Sequence, residues 1–282
     1  MKKSCIVISI VLLCLLVVSL SLTLLQRKIP LGSRIALVRI EGPILDSRDI
    51  VDELKEYAKD QSIKAIVLRI DSPGGAVAPS QEIYEEVKKA AAAKKVVVSM
   101  GSIAASGGYY IAAPADLIVA NPGTLTGSIG VIMEIPNLEG LMTKIGITTE
   151  VIKSGKHKDM ASAFRKMGVE ERELLQGVMD NVHEQFIKAV STGRKLRIED
   201  VRVIADGRIF SGEQAKAQRL IDELGTLEDT IMRTAQLAGI SGEPDLVEKK
   251  EKTTLMELLK SSFPKELAGV FPTLRIKFLY TP

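Results

Sequence analysis

Short apolar runs rich in β-branched residues alternate along this chain with amphipathic helical segments. The first three runs occupy residues 35–40, 65–70 and 96–100, and their length and composition are typical of buried strands. Asp46 and Ser80 lie at positions where N-cap residues would begin the helices between these strands. Strands that alternate with helices at this spacing predict parallel βαβ units with helices covering a sheet. We therefore expect an α/β fold.

The rest of the chain continues this pattern and then becomes mainly helical. Short apolar runs predict two more strands, at residues 117–120 and 147–152. Longer segments carry apolar residues at helical spacing, which predicts helices at 138–145, 174–190, 212–218 and 227–237. A helix-rich second half is thus expected to follow the parallel sheet.

Composition narrows the classes of function. The 282 residues are 46% hydrophobic and 26% charged, enough to bury one large domain or two small ones. A net charge of +3 and the absence of Trp do not favour a nucleic-acid partner. Cys5 and Cys14 both lie in the apolar N-terminal segment, so disulfides and a Cys nucleophile are excluded from the remainder. Two histidines are too few for the usual zinc site, and we expect no metal and no cofactor.

The N-terminal segment predicts a membrane anchor. Residues 4–25 carry no charge, and a bilayer core needs about 20 apolar residues. A cleavable signal peptide has a shorter apolar region and a small-residue cleavage site, for which only residues 19–21 are a weak candidate. We expect an uncleaved anchor at 1–28. Its N-terminus is expected on the cytoplasmic side of the membrane, and the folded domain at 29–245 is expected on the outer side. Because a charge run begins at Glu248, residues 246–282 are expected to form a linker and tail.

Ser106 lies in the most informative stretch of the chain, residues 99–110 (SMGSIAASGGYY). A predicted strand precedes this stretch, and a short helix ended by Pro114 follows it. A serine at a strand-to-helix turn can hold its hydroxyl clear of the sheet. The N–H groups at the start of the helix are then available to a developing anion. The alternative is that these small residues only allow tight packing of strand and helix.

Four stretches occur together in an order that identifies a family. They are residues 71–75 (DSPGG), 99–110, 126–131 (TGSIGV) and 206–215 (DGRIFSGEQA). Together they resemble the signal peptide peptidase A family of serine peptidases, over about residues 35–240 and in its single-domain form. The resemblance implies the fold shared by the Clp proteases and the crotonase enzymes. It also implies a Ser-Lys dyad, and membrane-anchored members of the family degrade signal peptides left after secretion.

The resemblance assigns the two residues of the dyad. It makes Ser106 the nucleophile. It places the base in the segment SGKHKD, immediately before the aspartate, at Lys158. Lys153 and Lys156 compete for that role, and His157 stands where the family commonly has an aromatic residue.

Four further positions complete the expected site. The resemblance makes Ser128 a second serine that hydrogen-bonds the lysine amine and orients it. It gives the oxyanion an N–H donor from Gly107 and another from Gly74 or Gly75. Losing one such donor costs about 10²- to 10³-fold in rate. Packing at Ser128, and a simple turn at the paired glycines, are the alternatives.

The chemistry of a Ser-Lys pair requires a dry pocket. A serine hydroxyl attacks a carbonyl only when a base takes its proton. Free lysine has a pKa near 10.4, which must fall by about 3 before the amine can serve at pH 7. Burial among apolar groups can supply this change. The small and apolar residues around Ser106 and Ser128 suit such a pocket.

The expected partners follow from the same resemblance. Signal peptides and other unfolded peptides would bind as extended strands, and subunits would assemble into a ring-shaped homo-oligomer at the inner membrane. Whether Lys158 acts within its own chain or on a neighbour is open. The apolar tail at 271–280 is expected to be covered by a neighbouring subunit. A crotonase-like acyl-CoA enzyme and a non-catalytic membrane scaffold are the competing functions.

Overall fold

A computed structural model describes residues 34–249, together with Leu13, Leu16 and the backbone of Lys277–Leu279. Its strands are β1 (Arg34–Glu41), β2 (Ile63–Ser72), β3 (Gly74–Ala76), β4 (Lys95–Ala105), β5 (Leu117–Ala120), β6 (Leu125–Gly127), β7 (Ile209–Phe210), β8 (Glu223–Leu224), β9 (Asp245–Glu248) and β10 (Lys277–Leu279). Its helices are α1 (Arg48–Lys59), α2 (Val77–Ala93), α3 (Gly107–Ala112), α4 (Glu139–Lys144), α5 (Val169–Arg194), α6 (Ile198–Ile204), α7 (Gly212–Ala217) and α8 (Leu227–Leu237).

The central sheet is mixed but mostly parallel. Its strands follow the order β7-β6-β4-β2-β1-β9, and β5 pairs with both β4 and β8. Within this sheet β6 and β7 pair antiparallel, whereas the other described pairs are parallel. A separate antiparallel pair joins β10 to β3. The α/β architecture predicted from the alternating pattern is confirmed.

Helices cover both faces of this sheet, which is why its central strands carry runs of consecutive apolar residues, such as 35–38 in β1 and 65–68 in β2. Successive side chains of a strand point to opposite faces. Leu68 and Val98 belong to the larger core, which includes residues of α1, α2 and α3. Leu37 and Val67 belong to a smaller core with Ala235 of α8 on the other face. Each fully buried Val or Leu contributes about 1.5–3 kcal/mol, so both faces hold the sheet in register.

Strand β4 leads directly into the candidate site. It extends five residues beyond the strand predicted to end at Met100. Its pairing with β5 ends at Met100, and its pairing with β6 begins at Ile103. The change of partner keeps Ala104 and Ala105 hydrogen-bonded in the sheet until the turn at Ser106. This edge of the sheet, at the carboxyl ends of β2 and β4, is where open α/β sheets commonly carry their sites.

The strand predicted at residues 147–152 is wrong. The structure has no regular secondary structure there, and Ile152 is 96% exposed. Ile147 and Val151 are also exposed. Apolar alternation produces a strand only where a partner strand and a core receive it. Within the described residues this segment lies against neither.

The domain boundaries predicted at the two ends of the chain can be compared with the structure. Strand β9 pairs in parallel with β1, and it crosses the boundary predicted after residue 245. The predicted anchor at 1–28 lies outside the described residues, apart from Leu13 and Leu16, which are helical. No helix in the described part of the chain is long and apolar enough to cross a membrane.

Candidate active site

Ser106 occupies a strained turn between β4 and α3. Its φ of 53° and ψ of −117° lie outside the regions that residues with a side chain readily adopt. The Ser106 N–H donates to the Gly127 carbonyl at 2.8 Å, and the Ser106 carbonyl accepts from the Tyr110 N–H at 2.8 Å. The residue is only 1% exposed. Strain of this kind persists where the surroundings hold it, and it is concentrated at functional sites.

Two glycine segments meet beside this serine. A Cβ on Gly107 would lie 2.7 Å from Ser80 Oγ and 3.2 Å from the Gly75 nitrogen. A Cβ on Gly75 would lie 2.0 Å from the Ile44 carbonyl oxygen. Neither position can take a side chain without moving its neighbours. The structure therefore brings the 71–75 and 106–108 stretches together, with backbone facing backbone.

The Gly74 N–H is already engaged. It donates to Ser72 Oγ at 3.1 Å, in a fully buried setting. Sequence reasoning did not single out Ser72, although a serine at the end of an apolar strand is an available signal. The Gly75 N–H takes no part in this bond, and Gly75 pairs instead with Phe278 of β10.

Ser128 lies on the other side of Ser106, after β6. It too has a positive φ, of 51°, and its N–H donates to the Arg208 carbonyl at 2.9 Å. Ser128 lines a cavity of about 440 Å³ together with His183 of α5. Among the described residues, His183 Nε2 is buried without a hydrogen-bond partner. The 206–215 stretch thus supports the turn that carries Ser128.

The three candidate lysines lie together in one segment, residues 153–162, which we call the lysine turn. Lys153 pairs with Asp159, and Lys156 pairs with Glu170. Lys158 is exposed, and in the part of the chain that the structure describes its amine has no hydrogen-bond acceptor. Of the three, Lys158 is therefore the lysine whose amine is not paired with a carboxylate among the described residues.

The structure does not join this lysine turn to the serines. The described residues show no hydrogen bond between Lys158 and Ser106 or Ser128. The serines are buried, whereas Lys158 is exposed. The site therefore consists of an assembled serine and glycine part and a separate lysine part.

The backbone of Lys277–Leu279 lies along the glycine segment. Phe278 is paired with Gly75 and Leu279 with Gly74, both antiparallel. On its other side Gly75 forms a parallel bridge with Ile44. The edge of β3 beside the serine can thus take an extended strand in antiparallel register.

These features define a class of protein. A serine on a strained strand-to-helix turn, beside closely packed backbone N–H groups, is the arrangement of a serine hydrolase on an α/β fold. Residues 88–241 match the model of peptidase family S49. Residues 32–124 match the model of the Clp proteases, to which the fold is similar.

Several curated relatives support the same family. A Synechocystis sp. protein named as a protease is 45% identical over 76% of this chain and 77% of its own length. A Methanocaldococcus jannaschii protein, also named as a protease, is 43% identical over 72% of this chain and 65% of its own length. Protease 4 of Salmonella typhi is 34% identical over 86% of this chain and 40% of its own length.

The chain belongs to peptidase family S49, in the single-domain form shared with the first two relatives. It is therefore a hydrolase of the serine peptidase class. The family predicted from the four sequence stretches, and the Clp-like α/β fold implied by it, are confirmed. The roles of individual residues stay predictions.

Proposed function

We propose that the protein is a membrane-anchored endopeptidase in which Ser106 is the nucleophile and Lys158 is the general base. The observation that carries this proposal is the strained, buried backbone of Ser106. No packing role requires a serine in that conformation, which a glycine would adopt at lower cost. The closely packed Gly107 and Gly75 supply the setting for a negative charge beside it.

The chemistry proceeds in two halves. The Ser106 hydroxyl attacks the peptide carbonyl while the neutral Lys158 amine takes its proton, and the carbonyl oxygen becomes an oxyanion. The N–H groups of Gly107 and Gly75 hold that oxyanion. The amine then returns the proton to the leaving nitrogen, and the C–N bond breaks to leave an ester on Ser106. Water, deprotonated by the same amine, hydrolyses the ester and restores both residues.

In the proposed site, the lysine comes from a second copy of the chain. Lys158 is exposed, and the segment around it carries exposed apolar side chains, among them Ile145, Ile152, Val169 and Leu174. Exposed apolar groups concentrated in one part of a surface indicate an interface. We infer that a neighbouring subunit covers them and that its Lys158 reaches Ser106. A head-to-tail contact of this kind closes into a ring.

The substrate class follows from the edge of β3. Backbone pairing to a strand edge binds extended peptides irrespective of most side chains. The antiparallel pairing of Phe278 with Gly75 supports this binding mode. Unfolded peptides, including signal peptides remaining in the membrane, are the proposed substrates. The anchor at 1–28 would hold the site at the cytoplasmic membrane, with the catalytic domain outside it.

Hydrolysis of a library of unstructured peptides tests the proposal. The full-length protein in detergent should cleave them, and Ser106→Ala should abolish cleavage with an unchanged melting temperature. Ser102→Ala is the matched control, because this exposed serine lies on the same stretch, and it should remain active. Loss of activity in the Ser102 variant alone would contradict the assignment. Turnover of acyl-CoA thioesters without peptide cleavage would favour a crotonase-like enzyme instead.

A further inference from the structure

Arg165 binds the residue that directly follows Lys158. Its Nε donates to Asp159 Oδ2 at 2.9 Å, and its Nη2 donates to the Asp159 carbonyl at 3.0 Å. One guanidinium thus holds both the side chain and the backbone of Asp159. The Asp159 side chain is only 13% exposed. The backbone at this point of the lysine turn is fixed from outside the turn.

The same guanidinium is anchored to the long helix α5. Arg165 Nη1 donates to Glu171 Oε2 at 2.9 Å, and Nη2 donates to Glu171 Oε1. Glu171 lies in the first turn of α5 and also accepts the Gly168 N–H at 2.9 Å. Its side chain is 12% exposed. The lysine turn is thereby connected through Arg165 to a 26-residue helix.

The charges of this cluster support a stable connection. Arg165 is the main reason that the pKa of Asp159 lies below its usual range, with a smaller contribution from Lys153. It is also the main reason that the pKa of Glu171 falls to about 2. Both carboxylates are therefore charged at neutral pH. Paired, bidentate bonds of this geometry fix orientation as well as distance.

We propose that Arg165 is a positioning residue for Lys158. The Lys158 amine has no bond of its own within the described residues, so the path of the turn decides where it lies. Arg165 joins that turn to α5, and it thereby sets where the amine can reach a serine. This inference rests on the proposed role of Lys158 as the base. A misplacement of about 1 Å at a reacting group can cost about 100-fold in rate.

Steady-state peptide hydrolysis by full-length variants tests this role. Arg165→Gln removes the charge, and Arg165→Lys keeps it but loses the paired bonds. Both should lower kcat, by about 10- to 100-fold for Arg165→Gln and by less for Arg165→Lys, with KM within about 2-fold. The matched control is Arg197→Gln, which removes an exposed pair with Asp200 and should leave kcat unchanged. A folded Arg165→Gln variant with normal kcat, or an effect confined to KM, overturns the proposal.

A double-variant cycle separates positioning from a general loss of structure. The readout is the rate at which a fluorophosphonate probe labels Ser106. Arg165→Gln should slow labelling in the wild-type background and cause no further loss in a Lys158→Ala background. Equal losses in both backgrounds overturn the inference. Normal labelling and hydrolysis by Lys158→Ala instead overturn the proposed function. Should Arg165→Gln fail to fold, Asp159→Asn weakens the same bonds and replaces it in both tests.

Discussion

The backbone conformation of Ser106 determines where its side chain lies. The positive φ turns the chain sharply between β4 and α3, and hydrogen bonds to Gly127 and from Tyr110 hold it there. Such strain costs about 1–3 kcal/mol and is maintained by the surrounding fold. The cost is consistent with a nucleophile that must project from the end of a buried strand.

Gly107 gives a first test at this scale. Gly107→Ala should reduce kcat by about 10²-fold or more, because its methyl group would press on Ser80 Oγ and on the Gly75 nitrogen. Gly123→Ala is the control, since a Cβ there meets nothing within 4 Å. Peptide hydrolysis and thermal unfolding are measured on both. Full activity in Gly107→Ala would contradict this prediction, because it would mean that a methyl group here leaves the proposed oxyanion donors in place.

The choice among the lysines gives a second test. Lys158→Ala should abolish activity, whereas Lys153→Ala should keep a measurable part of it, because Lys153 is paired with Asp159. His157→Gln should retain most of the activity. In the active variants the rate should rise with pH as the base loses its proton. A His157→Gln variant as inactive as Lys158→Ala would point to a Ser-His pair.

Among the helices and strands, the sequence best predicts those whose structure is determined by their own residues. β1, β2 and β5 each contain a run of four apolar residues that are mostly buried, and this pattern suffices to place them. The strand at 147–152 is not decided locally, because nothing in the described chain pairs with it.

The candidate site likewise has features that the local sequence predicts and features that it does not. The turn at Ser106 and the glycines beside it follow from small residues between a strand and a helix. The bond from Gly74 to Ser72 and the Arg165 cluster depend on contacts between segments. A single sequence does not show such contacts. The family resemblance therefore assigned roles to Ser106 and Lys158 but not to Arg165.

Glu171 allows a pH test of the link between the lysine turn and α5. Its pKa is lowered from 4.5 to about 2, so its contribution to stability is present above 4.5 and is lost as pH falls to about 2. Wild-type protein should melt at a higher temperature than Glu171→Gln at neutral pH, and this difference should shrink over that range. Glu173→Gln, an exposed position on the same helix, should show little difference at any pH. A wild-type advantage that is independent of pH would contradict the ionic link.

At the scale of the whole molecule, the proposed assembly explains why Lys158 is exposed. The exposed apolar residues around the lysine turn would be buried by a neighbour, which would bring its own lysine to Ser106. Of the tail expected to lie under a neighbouring subunit, the structure describes only the backbone of Lys277–Leu279, which pairs with β3 of its own chain. The assembly proposal therefore rests on the lysine segment and not on the tail.

Mixing two inactive variants tests this assembly. Co-expressed Ser106→Ala and Lys158→Ala chains should recover about one quarter of the wild-type rate if each site takes its serine and lysine from different subunits in a random ring. Each variant alone should be inactive. Sedimentation of an active monomer would contradict the assembly. An inactive mixture of well-assembled variants would place both residues in one chain.

The most direct measurement of the central claim is the site of covalent modification. The full-length protein is treated with a fluorophosphonate, digested and analysed by peptide mass spectrometry. We expect one adduct, on Ser106, formed much more slowly in Lys158→Ala and absent in Ser106→Ala. An adduct on Ser102 or Ser128, or an unchanged labelling rate in Lys158→Ala, would contradict the proposed Ser-Lys mechanism.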